Sequence, residues 1–249
     1  MDSGFNITLA AERLTTVFGV PVTNTILTAW VVIALLIVLA VVVRCNLSLV
    51  PGKLQNALEM FFEYLLDLME KMYGSRLIAE RYFPLIATIF LFILAGNVLE
   101  FVPVYGTVTV RGPQGAVPLF HPLNSDLNST LALAIISFFV IECSGVLTLG
   151  VLKYGGKFVN IKGGVMGIIV GLLELIGNLA RLISFSFRLF GAIFAGEVLI
   201  LVVTHFLPYI ASVPFMAFEV FVGVLQAGIF AILTMAFIKI AIEEPHAAH

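Results

Sequence analysis

Residues 163–207 form an almost unbroken apolar run that carries a guanidinium, Arg188, near its middle in the stretch SFSFRLFGAIFAGE. Two constraints follow. A single helix of about 45 residues would be roughly 67 Å long, whereas the hydrocarbon layer of a bilayer is about 30 Å thick. The guanidinium keeps its proton at any physiological pH, and at the bilayer centre it costs roughly 2.5–3.5 kcal/mol on insertion scales. A chain carrying such a cation in an apolar helix needs a water-filled cavity or a partner carboxylate beside it. Arg188 therefore marks a place where charge is handled inside a membrane.

The other apolar runs agree. Of the 249 residues, 61% are hydrophobic and 11% charged, far too few polar groups to cover a soluble domain. The fold class is an all-α polytopic membrane protein with the lipid bilayer as its solvent. A net charge of −2 argues against nucleic acid as a partner. Cys45 and Cys143 have no CxxC or Cys/His spacing, and Glu243, Glu244, His246 and His249 read as a solvated tail, so no metal or cofactor is expected. The opening residues lack the basic and apolar regions of a signal peptide. The sequons at Asn6 and Asn128 read as accidental.

Spans are expected at residues 25–44, 80–103 and 127–153, after an outer segment 1–24 and with an outer loop 104–126. Residues 53–73 differ. Leu54, Leu58, Phe61, Phe62, Leu65, Met69 and Met72 recur at helical spacing, with Glu59, Glu63, Asp67 and Glu70 on the other side. This predicts an amphipathic helix along the membrane surface, held by apolar burial or a protein neighbour. The segments 163–207 and 211–242 are each either two short spans or one long tilted helix. The absence of a polar turn within 172–203 favours two long helices forming a hairpin with a turn at Leu207–Val213. Lys and Arg cluster around 44–81 and at 153–162, which places the N-terminus outside and the C-terminus inside.

Intramembrane ionisable residues are functional candidates. Glu174, Arg181 and Arg188 are spaced by seven, so they share a helix face, and Ser184 is one turn before Arg188. Arg181 can partner Glu174, and Glu142 can enter a helix–helix hydrogen bond. Glu100 can simply mark the outer boundary, and Lys239 can snorkel to the inner one. Glu197 lies about 13 Å along the axis from Arg188 and half a turn out of phase. Glu219 and Gln226 share a face of the last helix. If the two long helices are antiparallel, Glu197 and Glu219 face each other near the outer end. Two close carboxylates in low dielectric share a proton, as a relay requires.

SFSFRLFGAIFAGE, FEVFVGVLQAGIFAILTMAFIKIAIEE and NSDLNSTLALAI together resemble subunit a of the F-type ATP synthase, over most of 53–244. The resemblance implies a proton-conducting stator subunit, not catalytic on its own, in a bacterial plasma membrane. Its implied partners are a ring of c subunits, the b-subunit peripheral stalk and the other ATP synthase subunits. On this resemblance Arg188 faces the rotor carboxylate and blocks a leak between two offset half-channels. Glu197, Glu219 and Gln226 belong to the outer one, with Asp126 and Asn128 near its mouth, and Ser184 and Glu174 to the inner. Two departures stand out: Ala192 where members of that family often carry Asn, and Glu219 where several bacterial members carry His. The rival reading is a self-contained transporter or channel using Glu142, Glu174 and Glu219.

Overall fold

The computed structural model describes residues 13–17, 20–48, 52–102, 108–112, 115–158, 164–207 and 212–243. The expected turn residues 208–211, the tail from Glu244 with its histidines, Pro103, Lys162 and the Asn6 sequon lie outside the described residues. The chain is an all-α membrane protein, and among the described residues five helices are long and apolar enough to cross a bilayer.

A short antiparallel hairpin comes first, β1 (Arg13–Val17) with β2 (Val20–Thr23). The Thr23 side chain then accepts a hydrogen bond from the Ile26 amide and starts α1 (Asn24–Cys45). This helix is apolar all round, and only its first turns are buried, at Asn24, Thr25, Thr28 and Val32. The rest presents Ile, Leu and Val outward, as a lipid-facing helix does.

The helix α2 (Lys53–Tyr73) stops where Gly74 takes φ 70°, a left-handed backbone that costs glycine nothing. Its apolar face is covered by the chain itself. Leu65 and Met69 pack with Ile86 of α3 (Arg76–Leu99) and with Met235 and Ile238 of the last helix. At the α2–α3 corner the Arg76 guanidinium reaches Asp67 at 2.8 Å, Glu70 at 3.0 Å and Glu80 at 3.5 Å. These polar residues precede the apolar run yet are helical, so α3 starts earlier than the expected span and carries Pro84 inside it. It ends at Leu99 with Glu100 as its cap, short of the expected 103.

The segment expected as an outer loop, 104–126, contains a second hairpin, β3 (Thr109–Gly112) with β4 (Gly115–Pro118). The strands are four or five residues long and only partly β-branched, too brief to register by pattern. Asp126 caps α4 (Leu127–Leu149), accepting from the Asn128 amide at 2.9 Å. The expected span to 153 is cut short here. Gly150 takes φ 82°, and a separate eight-residue helix, α5 (Val151–Phe158), follows. Apolar content continues through Val151 and Leu152, so hydropathy alone does not register the break.

Two long helices complete the fold, α6 (Gly164–Phe206) of 43 residues and α7 (Ser212–Ile242) of 31. Each is continuous, which removes the alternative of four short spans. At about 64 Å, α6 fits a 30 Å layer only if steeply inclined or if its ends emerge from it. A second core joins α3, α4, α6 and α7 through Ile89, Ile93, Ala134, Phe185, Leu189, Ile193, Ala227 and Phe230.

Lipid adds no hydrophobic drive between helices, so buried hydrogen bonds and close packing must supply specificity. Asn97 illustrates both. Its amide nitrogen donates to the Gly223 carbonyl at 2.9 Å, and its oxygen accepts from Asn124 at 2.6 Å. A Cβ on Gly223 would sit 2.9 Å from the Asn97 Cβ, so only glycine lets α3 and α7 approach this closely. Asn97→Leu removes both bonds and is expected to cost about 1–3 kcal/mol. Thermal unfolding of the purified protein should then begin several degrees lower.

Candidate functional site

Arg188 sits on the flank of α6, exposed, and donates from Nη2 to the Ser184 hydroxyl at 3.2 Å. Among the described residues no carboxylate makes an ion pair with it. The side chain that pointed to an intramembrane charge is therefore presented outward, not consumed by a carboxylate partner among the described residues. It lines a cleft of about 310 Å³ with Ala180, Arg181, Ser184, Phe185 and Phe237.

Arg181 does not pair with Glu174. Its guanidinium carbon lies 4.2 Å from the centre of the Phe237 ring, where the negative π-face offers a cation an attractive contact. Glu174, two turns nearer the start of α6, is half-buried and lines neither this cleft nor the cavity described next. Lys239 reaches Glu243 at 3.5 Å, one turn on, at the end of α7.

A second cavity, of about 550 Å³, opens among the end of α3, the later half of α6 and the start of α7. Glu100, Glu197 and Glu219 line it, with Phe101, Ile200, Leu201, Thr204 and Met216. The fold thus brings Glu197 and Glu219 to one space from separate helices. It adds Glu100, which sequence reasoning left as a boundary marker. Three acids and no cation line this cavity. Glu219 is 3% exposed. Neither of its oxygens has a hydrogen-bond partner among the described residues.

Gly196 explains how Glu219 is accommodated. A Cβ at that position would run into the Glu219 carboxyl group. The carboxyl therefore lies directly on the α6 backbone, one residue before Glu197. Gly196→Val should force Glu219 aside, an overpacking strain of about 1–3 kcal/mol. The expected result is a lower yield of purified protein and an earlier thermal unfolding, read by gel filtration and a melting curve.

The two spaces lie on different sides of α6. At 100° per residue, Arg181, Ser184 and Arg188 fall about half a turn around the axis from Glu197, Leu201 and Thr204, and about 13 Å separates Arg188 from Glu197 along it. Between them the buried side chains Phe185, Leu189 and Ile193 pack against α3, α4 and α7.

Other expected site residues lie apart. Asp126 is buried, and its carboxylate accepts from the Asn128 amide at 2.9 Å and the Asn128 side chain at 3.0 Å, so its visible work is to cap α4. Neither residue lines either space. Gln226, half-buried on α7 two turns beyond Glu219, does not line them either. Among the described residues no three His, Cys, Asp or Glu side chains converge as metal ligands would.

These features define a polytopic helical membrane protein that keeps ionisable side chains within its bilayer-crossing helices and presents the Arg188 cation outward. The profile of the ATP synthase A chain matches residues 26–239. Among curated relatives, ATP synthase subunit a of Campylobacter fetus subsp. fetus is 33% identical over 87% of this chain and 89% of its own length. ATP synthase subunit a 1 of Syntrophotalea carbinolica is 34% identical over 88% and 85%. Subunit a of Moorella thermoacetica is 29% identical over 88% and 90%. The chain belongs to the ATP synthase A chain family, the proton-translocating membrane subunit of ATP synthesis.

Proposed function

We propose that this chain is the proton-conducting stator subunit of an F-type ATP synthase, with the acid-lined cavity and the Arg188 cleft as its two offset half-channels. The observation that carries the reading is their placement on opposite flanks of α6 at different heights, with Arg188 exposed beside one of them. A proton arriving from outside meets Glu100, Glu197 and Glu219. From there it neutralises a carboxyl on a passing c subunit, which can then turn into lipid. After rotation the carboxyl loses its proton into the inner cleft beside Ser184. Arg188 draws the resulting carboxylate past and keeps the two spaces from exchanging protons directly.

On this reading the exposed apolar face of α6 is the stator surface against the c ring. The b-subunit stalk is the second partner, and the distribution of Lys and Arg among the loops supports an N-terminus outside a bacterial plasma membrane. Each proton crossing 100 mV releases about 2.3 kcal/mol. Several must pass for each ATP, so the barrier at Arg188 decides whether the gradient does chemical work. The chain alone in liposomes should move neither protons nor solutes at a measurable rate, and adding the c ring and stalk should restore proton flux. Solute uptake by the isolated chain would replace this reading with that of a self-contained transporter.

A further inference from the structure

The inner half of α6 is almost bare. Between Met166 and Ala180 the large apolar side chains point outward, and Asn178 is the one buried non-glycine side chain among the described residues. Something must hold this arm, because it leads directly to Arg181, Ser184 and Arg188. Asn178 donates from Nδ2 to Glu142 Oε1 at 3.2 Å. The other oxygen of Glu142 accepts from the Tyr154 hydroxyl at 2.8 Å. One carboxylate on α4 thus ties α5 and α6 together.

Tyr154 is fixed independently. Its ring lies on Gly145 of α4, where any Cβ would run into it, and its amide donates to the Gly150 carbonyl at 2.9 Å. The left-handed backbone at Gly150 folds α5 back so that this contact forms. Burial, and then the bond to Glu142, push the Tyr154 phenol above its ordinary value, so it stays a donor. Neither of these two donors is a cation. A carboxylate in an apolar layer held by neutral donors is a costly choice where two leucines would pack, which marks it as a device that fixes geometry.

We propose that Glu142 is a positioning residue: with Tyr154 and Asn178 it forms a latch that sets the rotation and height of the inner half of α6, and through it the placement of Arg188. Asn178 precedes Arg188 by ten residues, about 15 Å of helix, so a small pivot at the latch moves the guanidinium by an ångström or more. Displacements of that size cost reacting geometries up to about a hundredfold. The role in synthesis rests on the stator reading above, whereas the latch itself does not.

The test uses the whole complex, with Cys45→Ser and Cys143→Ala, and spin labels on Leu147→Cys of α4 and Leu172→Cys of α6, both exposed positions, the second about half a turn around α6 from Arg188. The starting protein should give one narrow distance distribution. Tyr154→Phe, which removes only the hydroxyl, and Glu142→Leu should broaden or shift it and lower proton-driven ATP synthesis about tenfold. Glu142→Gln, which keeps one acceptor oxygen, should recover most of both. An unchanged distribution in Tyr154→Phe and Glu142→Leu would overturn the latch. A broadened distribution with normal synthesis would overturn its role in positioning Arg188. Normal synthesis in Arg188→Ala would instead defeat the stator reading and leave the distance result standing.

Discussion

Arg188→Ala is expected to abolish proton-driven ATP synthesis while the complex still assembles. Assembly should survive because the side chain is exposed and its one hydrogen bond is to Ser184, so truncation leaves no buried group unpaired. Synthesis should fail for an electrostatic reason. A rotor carboxylate brought within about 4 Å of the guanidinium gains about 4 kcal/mol at an effective dielectric constant of 20, close to three orders of magnitude in occupancy. Without it, an ionised carboxylate has no reason to pause beside the cleft, and protons can pass between the two spaces without rotation. Arg188→Lys should also fail, since an ammonium loses its proton when desolvated and lacks the planar fork of donors. The measurement is ATP synthesis by energised vesicles, with complex yield from native gels and passive proton conductance as controls. Synthesis near the wild-type rate in Arg188→Ala would sink the proposed mechanism.

That charge is handled at Arg188 could be read from sequence because the cost of an intramembrane guanidinium is local and large, whereas its role beside a rotor carboxylate is what the resemblance to subunit a of the F-type ATP synthase implies. Helical period is equally local. The spacing of Phe61, Phe62, Leu65 and Met69 implies an amphipathic helix, and α2 follows from it, although only the fold reveals that α3 and α7 cover its apolar face. Other features depend on positions distant in the chain. Glu100 looks like a span boundary until α3 ends beside α6 and α7. Arg181 shares a helix face with Glu174 two turns away, yet it meets Phe237, 56 residues later. The break at Gly150 hides in apolar sequence, because the turn is a matter of backbone angle and not of polarity. Asp126 is the opposite case. An acid immediately before an apolar run is an N-cap signal, and the local reading accounts for its contacts without a pathway role.

Glu219→Gln should produce the largest loss among the cavity acids, at least tenfold in synthesis rate. Gln matches Glu in size, so the contact with Gly196 and the packing of α6 against α7 are kept, and what disappears is the exchangeable proton. Of the three acids Glu219 is buried, whereas Glu100 and Glu197 are half-buried. A proton moving inward therefore meets Glu219 where the fewest waters can substitute for it. Glu197→Gln should cost less, because Glu100 and Glu219 still line the same space, and Glu100→Gln least of all. General acid–base groups of this kind are worth about 10²–10⁴ when nothing replaces them, so partial replacement by neighbours leaves smaller losses. The series is read as ATP synthesis at a fixed gradient while the outer pH is varied, with native gels to exclude loss of assembly. Equal and small losses for all three would mean that water alone carries protons through the cavity. A selective loss in Glu219→Gln, retained across the pH range, would place the decisive transfer at the carboxyl that rests on Gly196.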